Sequence, residues 1–236
     1  YVRFLKGALV GDFGTSYYYN EPAMSVVLER APATLTLACA ALLISVVLGI
    51  PAGIVAAVKR NSVSDAVIRV LALLGQCMPA FWLGIMLIML FAVKLGWMPT
   101  GGAEDGLRSL ILPAFTLGVF SAATICRLLR SNLIEVLGKE YIDVAKAKGL
   151  PKSKIIGKHA LKNAMSSIIT ILGMQFASLL GGSVITEQVF AWPGVGRLVI
   201  QSITTSDFAV VECIVFLMAV IFVVINFIVD VLYCVI

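Results

Sequence analysis

Few side chains in this sequence of 236 residues have the types and spacing that chemistry requires. The only histidine is His159. The sequence contains neither a His-Glu-x-x-His zinc motif nor a Gly-x-x-x-x-Gly-Lys-Ser/Thr phosphate loop. A metal or general-base site needs His, Cys or acidic side chains that converge in one pocket, and no such set is indicated. We therefore predict no catalytic residue, no metal site and no cofactor bound by this chain.

The five cysteines are interpreted as small buried apolar side chains. Each lies in or beside an apolar segment: Cys39, Cys77, Cys126, Cys213 and Cys234. Their odd number and irregular spacing argue against a disulfide framework or a set of metal ligands.

The polar side chains concentrate in one basic stretch, which we call the elbow and define as residues 140–164. Nine of the 18 lysine and arginine residues lie between Arg127 and Lys162. Gly149 is a predicted helix end, with Pro151 just beyond it, and Ser153 is predicted to cap a second helix. Helical spacing connects four residues ahead of this break: Leu133, Leu137, Tyr141 and Val144. Two short helices would thus form a compact, ordered elbow.

Composition indicates a membrane protein. Hydrophobic residues make up 60% of the chain and its mean hydropathy is +1.02, while charged residues are only 13%, against about 25% in soluble domains. The net charge of +5 is mild and clustered, so no nucleic-acid partner is predicted. Five stretches approach the roughly 20 apolar residues of a membrane span: Ala33–Val58, Val70–Val93, Ser109–Cys126, Asn163–Thr186 and Cys213–Val229.

The basic residues of the connecting loops predict the orientation. Lys59 and Arg60 follow the first span, and the large basic cluster follows the third, whereas the intervening loops carry few cations. Because lysine and arginine mark cytoplasmic loops, we expect the elbow and the C-terminus inside and the segment 1–32 outside. A chain that starts outside at Tyr1, without a signal-peptide pattern, is expected to be a piece of a longer protein.

The elbow resembles the EAA loop of ABC-importer permeases, the cytoplasmic loop that docks on the ATPase. The matching pattern is Asp143-Val144-Ala145, three residues, Gly149, nine residues, His159 and then Leu161. It departs from the family pattern in four places: Asp143 for Glu, Val144 for Ala, His159 for Ile and Lys162 for Pro.

Two further motifs resemble the first (B-type) permease subunit of peptide and nickel importers. They are Gly11-Asp12-Phe13-Gly14-Thr15-Ser16 near the start and Phe190-Ala191-Trp192-Pro193-Gly194-Val195-Gly196 after the fourth span. With the elbow, three motifs occur in the family's order, and the resemblance covers nearly the whole chain.

The resemblance implies an all-α, polytopic transmembrane domain of a type I ABC importer in a bacterial inner membrane. Five spans are visible, and a sixth would precede them. The permease domain would cover residues 33–236, with the EAA coupling loop at 132–163. The residues that the resemblance assigns to ATPase coupling are Asp143, Val144, Ala145, Gly149, Leu150, His159 and Leu161.

The implied partners are a second permease subunit, two ATPase subunits that bind ATP, an extracytoplasmic substrate-binding protein and the lipid membrane. The chain itself would be a transport subunit and no enzyme. Peptides are the expected solutes, and nickel or another metal chelate and glutathione are the alternatives. A stand-alone channel or secondary carrier is the rival hypothesis; an intramembrane hydrolase is a weaker one.

Polar and small residues inside the spans predict a pathway and a packing face. Polar groups in lipid must meet protein or a water-filled passage, and the candidates for lining it are Gln76, Met78, Gln175, Ser178 and Ser183. Small residues four apart on the fourth span predict a close helix contact: Gly173, Ala177 and Gly181. Proline in the first two spans (Pro51, Pro79) is either a hinge or an ordinary kink.

Overall fold

A computed structural model of the chain describes residues 7–8 and 10–235, with side chains except at positions 166, 167, 182, 230 and 232–235. Regular structure within these residues is helical, apart from one isolated bridge between Thr15 and Pro22. The all-α prediction is therefore confirmed. Part of the predicted external segment, residues 1–6 and 9, lies outside the described residues.

The helices that follow residue 22 are numbered here in chain order. They are α1 (Ala23–Val58), α2 (Val63–Cys77), α3 (Ala80–Leu87, continued by a π-helical stretch Ile88–Lys94), α4 (Leu107–Leu137), α5 (Glu140–Ala147), α6 (Lys152–Lys154, continued by a π-helical stretch Ile155–Ala160), α7 (Leu161–Gly182), α8 (Val184–Val189), α9 (Val195–Thr204) and α10 (Phe208–Val235).

Three of these helices are long and apolar enough to cross a membrane: α1, α4 and residues Phe208–Val229 of α10. The number rises to five if each of two bent pairs counts as one span, and the pairs are α2 with α3 and Lys152–Met165 with Ile168–Gly181. The predicted span Val70–Val93 is thus no continuous helix. Met78 has an extended backbone (ψ 128°), as expected for a residue that precedes proline. Pro51, in contrast, lies inside the continuous helix α1.

The chain divides into two compact units. The first unit comprises Tyr1–Ala41, Pro79–Leu117 and Phe176–Asn226, and the second comprises Leu42–Met78, Gly118–Gln175 and Phe227–Ile236. Each unit has its own apolar core. In the first, α9 and the start of α10 pack on Val26 and Val27 of α1, and in the second, Leu129 and Leu133 of α4 pack on Ile168 of α7.

Glycines bring α1 and α4 into close contact in the second unit. A Cβ on Gly49 would lie 2.8 Å from the carbonyl oxygen of Ala122, and one on Gly53 would lie 2.9 Å from that of Cys126. The spacing of four residues is the small-xxx-small pattern that lets helices approach closely in membranes. The close contact at these two glycines was not predicted, although their spacing is readable in the sequence.

The predicted packing stripe of α7 divides in two. A Cβ on Gly173 would collide with the side chain of Val229, and Ala177 is buried. A Cβ on Gly181 would meet nothing within 4 Å among the described residues. The close approach is therefore seen at Gly173, and a packing role for Gly181 stays a prediction that needs a neighbour outside the described residues.

This difference between the two glycines is testable. Gly173→Leu is expected to lower the free energy of unfolding by about 1–3 kcal/mol, because a large side chain must displace Val229. Gly181→Leu is the matched control and should change the isolated chain by less than about 0.5 kcal/mol. Denaturant titration of both variants in detergent measures the effect. Equal losses for the two variants would contradict the contact with Val229.

The cysteines follow the prediction only in part. Cys126 and Cys213 are buried, whereas Cys39 and Cys77 are exposed on α1 and α2. A weakly polar thiol is tolerated among exposed apolar side chains, which explains the wrong prediction for these two. The side chain of Cys234 lies outside the described ones. Among the described residues there is no group of three or more metal-ligating side chains.

Candidate functional site

The elbow is built from two helices and a glycine turn, all within the second unit. Helix α5 ends at Ala147, and Gly149 then adopts a left-handed backbone with φ of +73°. Its N–H donates to the carbonyl of Lys146 over 2.9 Å, and the N–H of Leu150 donates to that of Ala145 over 3.3 Å. This is a left-handed helix cap, a conformation that favours glycine. The predicted helix end at Gly149 is confirmed.

One face of the elbow is anchored in the core of its unit. Ile142 and Ala145 of α5 are buried together with Ile155 and Ala160, in the same cluster as Leu133 of α4. Leu150 and Leu161 pack against that cluster and are partly buried. The side-chain amide of Asn163 also donates to the Tyr141 hydroxyl over 2.8 Å, which ties α7 to α5. The elbow is therefore part of a packed unit rather than a loose tether.

The opposite face of α5 is exposed. The side chain of Asp143 is 68% accessible and pairs with Lys146 over 2.8 Å, and Val144 is exposed beside it. Gly149 is also exposed, and His159 is half-buried. Of the residues assigned to coupling, Asp143, Val144 and Gly149 thus lie on a free surface. Ala145 instead fills the chain's own core.

Two details of the predicted elbow are wrong. The stripe from Leu133 to Val144 does not lie on one helix, because α4 ends at Leu137 and α5 begins at Glu140. The buried residues of α5 are therefore Ile142 and Ala145 instead of Tyr141 and Val144. Ser153 caps no helix, since Pro151 occupies the N-cap position of α6 and provides no side-chain hydrogen bond. Proline fits there because the first turn of a helix does not need its N–H.

A polar cavity opens between α2 and α4 in the same unit. It has a volume of about 560 Å³ and polar lining residues Arg69, Gln76, Thr124, Arg127, Arg130 and Ser131. The Gln76 side-chain carbonyl accepts a hydrogen bond from Arg127, and its amide lies 3.4 Å from the Thr124 hydroxyl. The cavity brings three cations together.

Asp65 orients the arginine side chains of the polar cavity. Its carboxylate is fully buried and accepts hydrogen bonds from Nε and Nη2 of Arg130 at 2.7 and 2.8 Å. The backbone N–H of Asn61 also donates to it over 3.0 Å, and Arg69 lies 3.4 Å away. A bidentate pair of this kind fixes the guanidinium plane. Asp65 was not predicted, although its spacing of four residues from Arg69 on α2 is a weak signal.

The five pathway candidates occupy different surroundings. Gln76 lines the polar cavity, and Met78 is at the bend after α2. Gln175 accepts a hydrogen bond from the Ser121 hydroxyl over 3.4 Å, and Ser178 is exposed. Ser183 is fully buried and bonded to Glu187. Within this chain the Ser183 hydroxyl makes an interior hydrogen bond of the first unit, and a pathway role for Ser183 stays a prediction.

Glu187 on α8 organises the first unit. Its carboxyl group is fully buried, and Oε1 accepts hydrogen bonds from the hydroxyls of Ser183 and Thr34 at 2.8 and 2.9 Å. Oε2 accepts the backbone N–H of Arg197 over 3.0 Å at the start of α9, where negative charge is favourable. A Cβ on Gly194 would collide with this carboxyl group. The glycine of the Phe190–Gly196 motif thus leaves room for Glu187.

The Gly11–Ser16 motif is held by a second buried acid. The Ser16 hydroxyl and the backbone N–H of Tyr18 donate to the Asp207 carboxylate. Burial alone would raise the pKa of Asp207, but these hydrogen bonds outweigh it and hold the pKa below its usual value. Each motif of the first unit therefore contacts a buried acidic side chain. The Gly11–Ser16 motif contacts Asp207, and the Phe190–Gly196 motif contacts Glu187. The sequence placed Glu187 and Asp207 in an external loop, and their burial was not predicted.

The depressed pKa of Asp207 predicts a pH dependence. The stabilisation from this carboxylate should be complete above the unfolded-state pKa of about 4 and lost as the pH falls through the lower folded-state pKa. The melting-temperature gap between the wild type and Asp207→Asn should thus shrink on acidification from pH 7. Asp105→Asn, which removes a carboxylate at an exposed position, is the matched control for the substitution. A gap that stays constant down to pH 3 would refute the assignment.

Similarity to known proteins agrees with these features. The family described as binding-protein-dependent transport system inner membrane component matches residues 49–236. The glutathione transport system permease protein GsiC of Escherichia coli strain K12 is 41% identical over 231 residues, which is 98% of this chain and 75% of that protein. The protein of the same name from Salmonella paratyphi A is 42% identical over the same shares.

Solved structures give the same fold. An inward-facing structure of the MetNI methionine ABC transporter has a TM-score of 0.77 at 20% identity, covering 90% of this chain and 96% of the other. An amino acid ABC transporter with histidines has a TM-score of 0.72 at 17% identity, covering 90% and 94%. The predicted fold of an ABC-importer transmembrane domain is confirmed. The chain belongs to the family of binding-protein-dependent transport system inner membrane components and is a permease subunit of an ABC importer.

Proposed function

We propose that this chain and a second permease subunit form the pathway through which an ABC importer carries glutathione or a closely similar peptide-sized solute. The observation that carries the substrate assignment is the identity of 41% across 98% of the chain to glutathione transport permeases. The glutathione alternative is therefore preferred over general peptides and over nickel chelates.

The elbow is the proposed link to the ATPase subunits. Its exposed surface around Asp143, Val144 and Gly149 offers a docking face, while Ile142 and Ala145 join it to the core formed with α4 and α7. A push on the exposed face would move that whole core, because a close-packed interior transmits displacement. Closure of the ATPases upon ATP binding would thus switch the pathway between its inward-open and outward-open states.

The charge distribution supports the proposed orientation. Half of the lysine and arginine residues lie between Arg127 and Lys162, so the elbow would face the cytoplasm and the ATPases. The loop 187–207, whose only basic residue is Arg197, would lie outside and receive solute from a binding protein. The ATP would be bound by the ATPase subunits, since this sequence has no phosphate loop.

Reconstitution tests the proposal. The permease pair and its ATPases are placed in liposomes, and binding protein loaded with labelled glutathione is added on the outer side. We expect accumulation that requires hydrolysable ATP and the binding protein, while the purified chain alone should not hydrolyse ATP. An excess of unlabelled dipeptide or nickel chelate serves as the competitor.

Two results would replace the proposal. Preferential uptake of the dipeptide or of the nickel chelate would reassign the substrate. Equilibration of glutathione through this chain alone, without any effect of ATP, would favour a channel or secondary carrier.

A further inference from the structure

We propose that the polar cavity between α2 and α4 is a binding site for a carboxylate of the transported solute. This inference rests on the proposed function, because it names the chemistry that the pathway recognises. The polar cavity is defined by Arg69, Gln76, Thr124, Arg127, Arg130 and Ser131.

The charge of the polar cavity favours an anion. Arg69, Arg127 and Arg130 supply three guanidinium groups, and Asp65 is the acid that neutralises one of them. The two remaining positive charges lie at a concave surface whose walls include apolar residues, where their field is screened less than in open water. A carboxylate would neutralise one of these two charges.

The guanidinium groups are oriented before any ligand arrives. Arg130 is held by two hydrogen bonds to Asp65, and Arg127 donates to the side-chain carbonyl of Gln76. Each guanidinium has five N–H donors, so these contacts leave several for a ligand. Arginine forks bind carboxylates with two parallel hydrogen bonds, and fixed orientation reduces the entropy lost upon binding.

The polar lining extends into the span, which distinguishes a solute from a lipid headgroup. Thr124 and Ser131 are seven residues apart on α4, as are Arg69 and Gln76 on α2, so each lining is about 10 Å long. Gln76 and Thr124 adjoin the apolar part of their helices. Polar groups at such depth face protein or water rather than lipid, whereas a headgroup phosphate needs cations only at the membrane surface.

The size and openness of the polar cavity suit a pathway. A volume of about 560 Å³ is within the range of roughly 300–1,000 Å³ for small-molecule sites. The cavity is open on one side, and Arg127 is exposed in it. The attraction is therefore moderate, as required for a solute that must bind briefly and leave.

Ligand-dependent stability tests the site directly. The complete importer is placed in nanodiscs of neutral phosphatidylcholine, and its melting temperature is followed during titration with glutathione. Glutathione diethyl ester, in which the carboxylates are blocked, is the chemical control. We expect stabilisation by glutathione and none by the ester. Arg127→Gln should raise the half-maximal glutathione concentration by about tenfold or more, as expected for loss of a charge-assisted fork.

Two further variants distinguish bidentate hydrogen bonding by Arg127 from a nonspecific effect of positive charge. Arg127→Lys should retain part of the effect, because it keeps the charge and loses the planar fork. Arg60→Gln removes an exposed arginine outside the polar cavity and should leave the titration unchanged. Equal titrations for Arg127→Gln, Arg60→Gln and the wild type would overturn the proposal.

The remaining outcomes distinguish a solute site from a lipid site, and failure of the site from failure of the proposed function. Stabilisation by added phosphatidylglycerol that depends on Arg127, without any response to glutathione, would assign the site to a headgroup and overturn the proposal. Stabilisation by glutathione through Arg127 in an importer that fails to accumulate glutathione would support the site and refute the proposed function. Normal glutathione uptake, together with an unchanged glutathione titration in every arginine variant, would support the proposed function and refute the site.

Discussion

Gly149→Pro is expected to abolish ATP-driven uptake while the protein remains in the membrane. The native φ of +73° is inaccessible to proline, which fixes φ near −65°. Proline also removes the N–H that donates to the Lys146 carbonyl over 2.9 Å and disfavours the conformation of Lys148 before it. The turn between α5 and α6 would therefore be redirected, and the exposed face around Asp143 would lose its position relative to the core.

Milder variants give a graded test of the same turn. Gly149→Ala should cost about 1–2 kcal/mol through the left-handed backbone, and Gly149→Asn should cost less. Gly157→Ala is the matched control, since its Cβ would meet none of the described atoms within 4 Å and its φ is not positive. Uptake should fall in the order Gly157→Ala, Gly149→Asn, Gly149→Ala, Gly149→Pro, measured together with ATP hydrolysis and co-purification of the ATPases. Normal uptake by Gly149→Pro would rule out the coupling role of the elbow.

Glu187→Ala is expected to destabilise the first unit by about 3 kcal/mol or more. The substitution leaves two hydroxyls and the backbone N–H of Arg197 without their acceptor, and each buried unsatisfied group costs about 1–3 kcal/mol. It also opens a cavity next to Gly194. Thermal unfolding in detergent, combined with protease sensitivity of the 190–207 segment, measures the loss.

The chain offers matched variants for this acid. Glu187→Gln keeps the shape and one acceptor, so it should lose less than the alanine variant. Glu212→Ala changes an exposed acid at the start of α10 and should lie within about 0.5 kcal/mol of the wild type. Gly194→Ala should disturb the same contact, because the added methyl group would collide with the Glu187 carboxyl group. Comparable stability of Glu187→Ala and Glu212→Ala would contradict the role given to Glu187.

Features that depend on neighbours in sequence could be predicted from the sequence. The break at Gly149 followed from a glycine and a proline two residues apart, and helix α5 ends at Ala147 just before it. Two local predictions failed where the signals were ambiguous. The helical spacing of Leu133 and Tyr141 predicted one helix, but Gly138 lies between α4 and α5. Ser153 and Pro151 were both possible first residues of α6, and the structure has Pro151 at the N-cap.

Features that depend on distant partners could not be predicted. The burial of Glu187 depends on a hydrogen bond from Thr34, which is 153 residues away in the sequence. The sequence also leaves the role of Ser183 open, because a polar residue in a span is equally compatible with a passage and with a buried partner. Arg130 and Asp65 are 65 residues apart, so their pairing required the packing of α2 on α4.

The long-range bonds of the first unit have a consequence for biosynthesis. Asp207 and Ser16 are separated by 191 residues, and Glu187 and Thr34 by 153. At about 5–20 residues per second, a ribosome needs roughly 8–30 s to pass from Thr34 to Glu187. During that interval the early helices are already delivered to the membrane, with Thr34 lacking its acceptor. Nascent chains arrested before Glu187 should therefore be preferred substrates of membrane quality-control proteases, and full-length chains should become resistant soon after release.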